Sequence, residues 1–133
     1  MASFESNAHL HDLLEAWEAT YKKGQLTLWV LMALRDRPRY ADEIRSFVEE
    51  TSAGTMTCEP QSLYRLLRKF QHLGVLDHET RAGRRGPDRK YHRLTPLGEV
   101  LFEHFVQRNI AIFHTEAVCR HLGLPVRTIT STD

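Results

Sequence analysis

Glu59-Pro-Gln-Ser-Leu-Tyr-Arg-Leu-Leu-Arg-Lys-Phe-Gln-His-Leu-Gly74 sets Leu63, Leu66, Leu67, Phe70 and Leu73 on one side of a 3.6-residue helix. Gln61, Arg65, Arg68 and His72 fall on the opposite side, with Lys69 on its flank. Two strand-like runs follow at once, Val75–Thr80 and Arg89–Leu94, joined by Arg81-Ala-Gly-Arg-Arg-Gly-Pro-Asp88. A helix with a basic outer face fits a major groove, and a basic hairpin beside it grips phosphates. Neither element is specific alone. Their order and closeness predict a helix-and-wing unit facing duplex DNA.

The distribution of charge supports that expectation better than its total. The chain carries a net charge of only +1. Residues 61–93 hold nine Lys or Arg (Arg65, Arg68, Lys69, Arg81, Arg84, Arg85, Arg89, Lys90 and Arg93) against Asp77, Glu79 and Asp88, a local +6 that leaves −5 for the rest. A molecule with one positive face and an acidic remainder orients toward a polyanion. A solvated hairpin would explain Arg81–Arg93, but not why the outer face of the preceding helix is basic too.

At 133 residues and 41% hydrophobic content, the chain suits a single domain with its own core. No stretch of 18 apolar residues is present and the N-terminus lacks a signal-peptide pattern, so no membrane span and a cytoplasmic location are expected. Cys58 and Cys119 form no metal or redox spacing, in keeping with a reducing compartment.

The scaffold reads as mainly α with a small β-hairpin wing. Asn7–Tyr21 carries Leu10, Leu13, Leu14, Trp17 and Tyr21 at helical spacing, with Ser6 or Asn7 as cap, giving an N-terminal helix over 7–22. The core, 24–95, opens at Gly24 with Leu26–Leu34, apolar nearly all round and read as a buried helix. Pro38 marks a turn, and Tyr40–Thr51 forms the next helix with Ile44, Phe47 and Val48 on one face. Gly54 ends it, and Thr57 is the expected N-cap of the helix that follows. Thr95-Pro96 starts a long helix over 96–122, with Gly123 and Pro125 ending it and a tail over 123–133. That helix is too apolar around its circumference for a monomer's surface, which predicts a homodimer contact through Phe102, Phe105, Val106, Ile110, Ile112 and Phe113, with Leu14 and Trp17 of the N-terminal helix as its other half.

The order helix, helix, helix, β-wing, long C-terminal helix resembles the PadR family of bacterial transcriptional regulators. The matching pieces are Gly24 with its apolar helix, Tyr40-Ala-Asp-Glu-Ile44, Ser62-Leu-Tyr64, Gly74, Gly86-Pro-Asp-Arg-Lys-Tyr91 and Leu94-Thr-Pro-Leu-Gly98, which together cover residues 23–98. The resemblance implies a winged helix-turn-helix with a C-terminal dimerisation helix, acting as a dimeric repressor that leaves a palindromic operator when a small molecule or stress signal arrives. Ala41 and Gln61 stand where the family tends to have Gly, Ser62 where it tends to have Thr, and Arg65 where it often has Pro. Base preference therefore does not carry over. The expected DNA contacts are Gln61, Ser62, Tyr64, Arg65, Arg68, Lys69, Arg84, Arg85, Arg89, Lys90 and Tyr91.

Other signals have plainer explanations. Cys58 beside the helix N-terminus is either a redox sensor or, more commonly, a small apolar filler. His114, Cys119 and His121 do not share one helix face, so no metal is expected. Asp77–His78 and Glu103–His104 have no nucleophile or oxyanion donor nearby, so neither an enzyme nor a cofactor is expected. Trp17 and Trp29 either line an effector pocket between subunits or, for Trp29, pack in the core. A winged-helix module that contacts another protein instead of DNA is the alternative function.

Overall fold

The computed structural model describes residues 7–126. The helices are α1 (Ala8–Lys22), α2 (Leu26–Asp36), α3 (Ala41–Thr51) and α4 (Pro60–His72). An antiparallel hairpin follows, β1 (Leu76–Arg81) and β2 (Arg89–Leu94), and then α5 (Pro96–Asn109), a 3-10 turn (Ala111–His114) and α6 (Glu116–Leu122). The fold is mainly helical with one hairpin wing, as the periodicities predict. Ser6 and the tail beyond Val126 lie outside the described residues.

The apolar sides of α2, α3 and α4 meet in one core. Val30, Ala33, Ile44, Val48 and Leu63 are fully buried there, with Leu67, Leu76 and Phe102 nearly so. Because α2 packs against α3, β2 and α5 at once, it is apolar on almost every side. Truncating a side chain such as Leu63 to Ala costs about 2–5 kcal/mol in such a setting.

Two glycines join the wing to the helices. At the end of α4, Gly74 adopts φ +78° and the Val75 amide donates to the Phe70 carbonyl at 2.9 Å, turning the chain directly into β1. A Cβ on Gly98 would collide with the Val75 carbonyl, so only glycine lets the first turn of α5 abut the base of the wing. Thr95 caps α5 as expected, accepting from the Gly98 amide at 3.1 Å while its hydroxyl donates to the Gly74 carbonyl at 2.6 Å.

One local expectation is narrowed and two change. Asn7 caps α1, accepting from the Leu10 amide at 3.0 Å. Thr57 does not cap α4; Glu59 occupies that position, without a side-chain bond, and Pro60 is the first helical residue. The single helix expected over 96–122 is broken after Asn109. β-branched Ile110, Ile112 and Thr115 disfavour an uninterrupted helix, and Thr115 turns extended (ψ 151°) to cap α6 at the Val118 amide.

Among the residues expected to form a dimer contact, Leu14, Trp17, Phe105, Ile112 and Phe113 are exposed, and Val106 and Ile110 are half-buried. Phe102 is different: it is 7% exposed, sits in the core beneath the Arg35 guanidinium and drops out of the surface set. No residue of α1 is buried, and Trp17 is 73% exposed.

Candidate nucleic-acid interface

Leu63 and Leu67 hold α4 against the core, and the 3.6-residue repeat therefore turns Gln61, Tyr64, Arg65, Arg68, Lys69 and His72 outward. Ser62 is half-buried at the edge of that face. Arg45 on α3 donates to the Cys58 carbonyl at 2.9 Å and anchors the entry to α4. Cys58 itself is 2% exposed, and burial pushes its thiol above the usual range despite the opposing pull of Arg45. A buried thiol kept protonated is a poor redox sensor, which favours the apolar-filler reading of Cys58.

The wing's six cations divide into two kinds. Arg93 donates to Asp77 at 2.6 Å and reaches Glu79 at 3.5 Å, while Arg81 donates to Glu79 at 2.6 Å. The Arg81 guanidinium holds the Glu79 carboxyl below the usual carboxylate range. These two arginines are largely neutralised along the hairpin. Among the described residues, Arg84, Arg85, Arg89 and Lys90 have no ion-pair partner, nor do Arg65, Arg68 and Lys69 on α4. The local +6 therefore resolves into seven cations without an ion-pair partner, offset by Asp88 alone.

Tyr40, just before α3, positions the base of this basic patch. Its ring stacks edge-on with Tyr91 at 5.4 Å and lies under the Arg89 guanidinium at 4.4 Å. Tyr91 is half-buried between that ring and the Arg81 guanidinium, 4.1 Å away, which makes it a buttress of the wing. Arg39 ties the same loop to β2 through paired backbone bonds with His92, at 3.0 and 2.9 Å. Its side chain is buried against the Ala33 carbonyl, Asp36 and the Phe47 ring, so this arginine is structural. Neither role has a single-sequence signature. The Tyr40–Ile44 motif flags the position without naming its contacts.

Between α4, the wing and the start of α3 lies a groove of about 810 Å³, bringing together Tyr64, Arg68 and His72 with Lys90, Arg89 and Tyr40. Arg65 and Lys69 flank it on the outer face of α4, and Arg84 and Arg85 are exposed at the wing turn. His92 lies at the groove's floor, 8% exposed, with its Nδ1 buried and unpaired. Burial, with the His78 and Lys90 charges adding to it, lowers its pKa to about 4, so the ring is neutral at neutral pH. Among the described residues no group of His, Cys, Asp or Glu is arranged to hold a metal ion, and Cys119 instead donates to the Phe113 carbonyl.

The model of the transcriptional regulator PadR-like family matches residues 30–104. The fold is similar to that of a PadR family transcriptional regulator from Eggerthella lenta, at 25% identity over 88% of this chain and 95% of that one, with a TM-score of 0.63. It is also similar to a PadR-like transcriptional regulator from Bacillus cereus, at 22% identity, 80% and 98% coverage and a TM-score of 0.63. A Streptococcus transcriptional regulator matches at 29% identity, with 68% and 86% coverage and a TM-score of 0.57. No curated protein matches the chain.

Proposed function

The chain belongs to the PadR-like family of transcriptional regulators, and from that premise we propose that it is a homodimeric repressor released from a palindromic operator by a small-molecule signal. It is a DNA-binding regulator and not an enzyme. The observation that supports the DNA contact is the set of seven cations without an ion-pair partner on α4 and the wing, of which Arg68, Arg89 and Lys90 line one groove. Gln61, Ser62, Tyr64, Arg65 and Arg68 read base edges in the major groove. Lys69, Arg84, Arg85, Arg89 and Lys90 hold phosphates, with Tyr91 stiffening the wing.

One α4 reads few base pairs, so two copies related by a two-fold axis match a palindrome. Exposed Leu14 and Trp17 on α1, with Phe105, Ile112 and Phe113, supply the apolar surface for that pairing, and Val106 and Ile110 line its edge. The space bordered by Trp17 and Trp29 receives the effector. Such a protein acts in the cytoplasm, where its DNA is.

Binding to the DNA upstream of its own gene, measured against salt, tests this. Log K should fall with log salt at about −0.9 per neutralised phosphate, summed over several contacts per subunit. Affinity that stays flat from low to moderate salt overturns the mechanism and leaves a winged-helix module that contacts another protein.

A further inference from the structure

Three histidines outside the proposed DNA contacts line the groove between α4 and the wing: His72 of α4, His78 of β1 and His92 of β2. His9, His11, His104, His114 and His121 do not line it. Local geometry divides the three. His92 is buried, and burial keeps its ring neutral. His78 sits directly across the hairpin from it, with ring centroids 5.9 Å apart, and is only half-buried. Its Nδ1 lies 3.0 Å from Oε1 of Gln71 on α4. An amide oxygen only accepts, so Nδ1–H donates there and Nε2 is the atom left for a second proton. His72, next to Gln71 on α4, is exposed.

We infer that His72 and His78 are DNA-contact residues that take up a proton when a duplex enters the groove, so that the protein grips DNA more tightly as the solution acidifies from neutrality. The inference rests on the DNA contact proposed above and adds to it two groups whose charge depends on the bound state. The fixed charges lining the groove are Arg68 of α4 with Arg89 and Lys90 of the wing, against Asp42 of α3 and Asp88 of the wing turn. Asp42 also faces Arg45 at 3.9 Å. Tyr40 and Tyr64 add phenols, a group that carries no charge near neutral pH.

Phosphates drawn in by the three cations come to the two histidines as well. An anion beside an imidazole favours its charged form. Imidazole is the side-chain group that ordinarily titrates in the physiological range, so modest favouring of the cation moves it from mostly neutral to mostly charged. His92 does not join them, because burial with His78 and Lys90 facing it lowers its pKa to about 4. Its neutral ring lets a charge form on His78 without a like charge directly opposite.

Titrations of the full chain with the DNA upstream of its own gene, at fixed salt from about pH 8 to about pH 6, test this. Duplex phosphates keep their charge across that range. A histidine whose proton is held about ten times more tightly in the complex adds up to about tenfold in affinity. With two per subunit, wild-type affinity should rise at least about tenfold. Net proton uptake should appear as a dependence of the calorimetric heat on the ionisation enthalpy of the buffer. Combining His72→Gln with His78→Gln should remove most of the rise and of the uptake, whereas His104→Gln, at an exposed position on α5, should keep both. His72→Lys, with a charge that does not titrate here, should bind more tightly than wild type at about pH 8 and flatten the profile.

A flat wild-type profile, binding without proton uptake, or a rise that survives in the double variant overturns the inference. A His72→Lys chain no tighter than wild type at about pH 8 overturns the contact of His72. Arg68→Ala keeps the two readings apart. If it weakens binding throughout the range while wild type shows no pH dependence, the DNA contact stands and the proton linkage falls. If it leaves affinity unchanged, or if no duplex binds at all, DNA does not lie in this groove and both fall.

Discussion

α4 and the wing expose Arg65, Arg68, Lys69, Arg84, Arg85, Arg89 and Lys90 on a surface whose every element is pinned to the core. α1, α5 and the segment after Asn109 expose Leu14, Trp17, Phe105, Ile112 and Phe113, and neither α1 nor the 3-10 turn buries a residue of its own. The first surface is stiff because Leu63 and Leu67 lock α4, and because Gly74, Gly98 and the Arg39–His92 bridge lock the wing. The second is apolar and incompletely covered within one chain. Charged groups facing a flexible polyanion lose least when preorganised, whereas apolar surface left in water needs another surface to cover it. Under the proposed function, the two regions divide recognition from assembly.

The largest effect should come from breaking the apolar side. Ile112→Asp places a charge in the middle of the expected subunit contact. At the upper end of interface hot spots it should cost about 4 kcal/mol of association, read as monomers in sedimentation and loss of binding to two-half-site DNA. Wild-type protein that sediments as a monomer at micromolar concentration would remove the assembly role from this surface.

Next comes the joint that holds the wing. His92 titrates at about 4 in the fold against the usual 6.5, so the native state favours the neutral ring. Its contribution to stability is fully present above pH 6.5 and is lost as pH falls toward 4, because the unfolded chain takes up the proton first. Denaturant titrations across that window should show wild type losing up to about 3 kcal/mol more than His92→Leu. Parallel curves would mean that the ring is solvated.

How far the two regions were legible in the sequence follows the same division. α4 and the hairpin declare themselves through Leu63–Leu67–Phe70 spacing and through two strand-like runs around Gly86-Pro87, since local periodicity and turn chemistry decide them. The C-terminal break does not, because Ile110-Ala-Ile-Phe113 continues an apolar pattern without Gly or Pro. A cue was present in Thr115-Glu116, a cap followed by an acid in the first turn, but the surrounding apolar residues outweighed it. Phe102 shows the same limit. On an all-apolar stretch, periodicity alone does not tell which residue faces the core and which faces a partner. Tyr40 and Arg39 act through contacts distant in sequence, and composition carries no trace of these.

Within the basic surface, position on α4 or the wing should separate specificity from affinity. Arg65 is exposed on the outer face of α4, and a guanidinium carried into a major groove can bind guanine through two bonds. Arg65→Ala should cost about 1–3 kcal/mol on the cognate site and flatten preference at one base pair, measured by competition between substituted operators. An equal loss on every sequence would reassign it to phosphate.

The smallest effect is the sharpest test of the division among the wing's cations. Arg85 has no ion-pair partner among the described residues, whereas Arg93 already spends its charge on Asp77 and Glu79. Counterion release scales with the phosphates a protein neutralises, and a cation held by two carboxylates neutralises little. Arg85→Ala should therefore lower the slope of log K against log salt by about 1 per subunit, with the same loss on all sequences. Arg93→Ala should leave the slope nearly unchanged, since the two freed acids repel DNA at all salts only weakly from the hairpin's flank. If the two variants reduce the slope equally, the ion pairs open on binding, and the wing's apparent neutralisation belongs to the free protein alone.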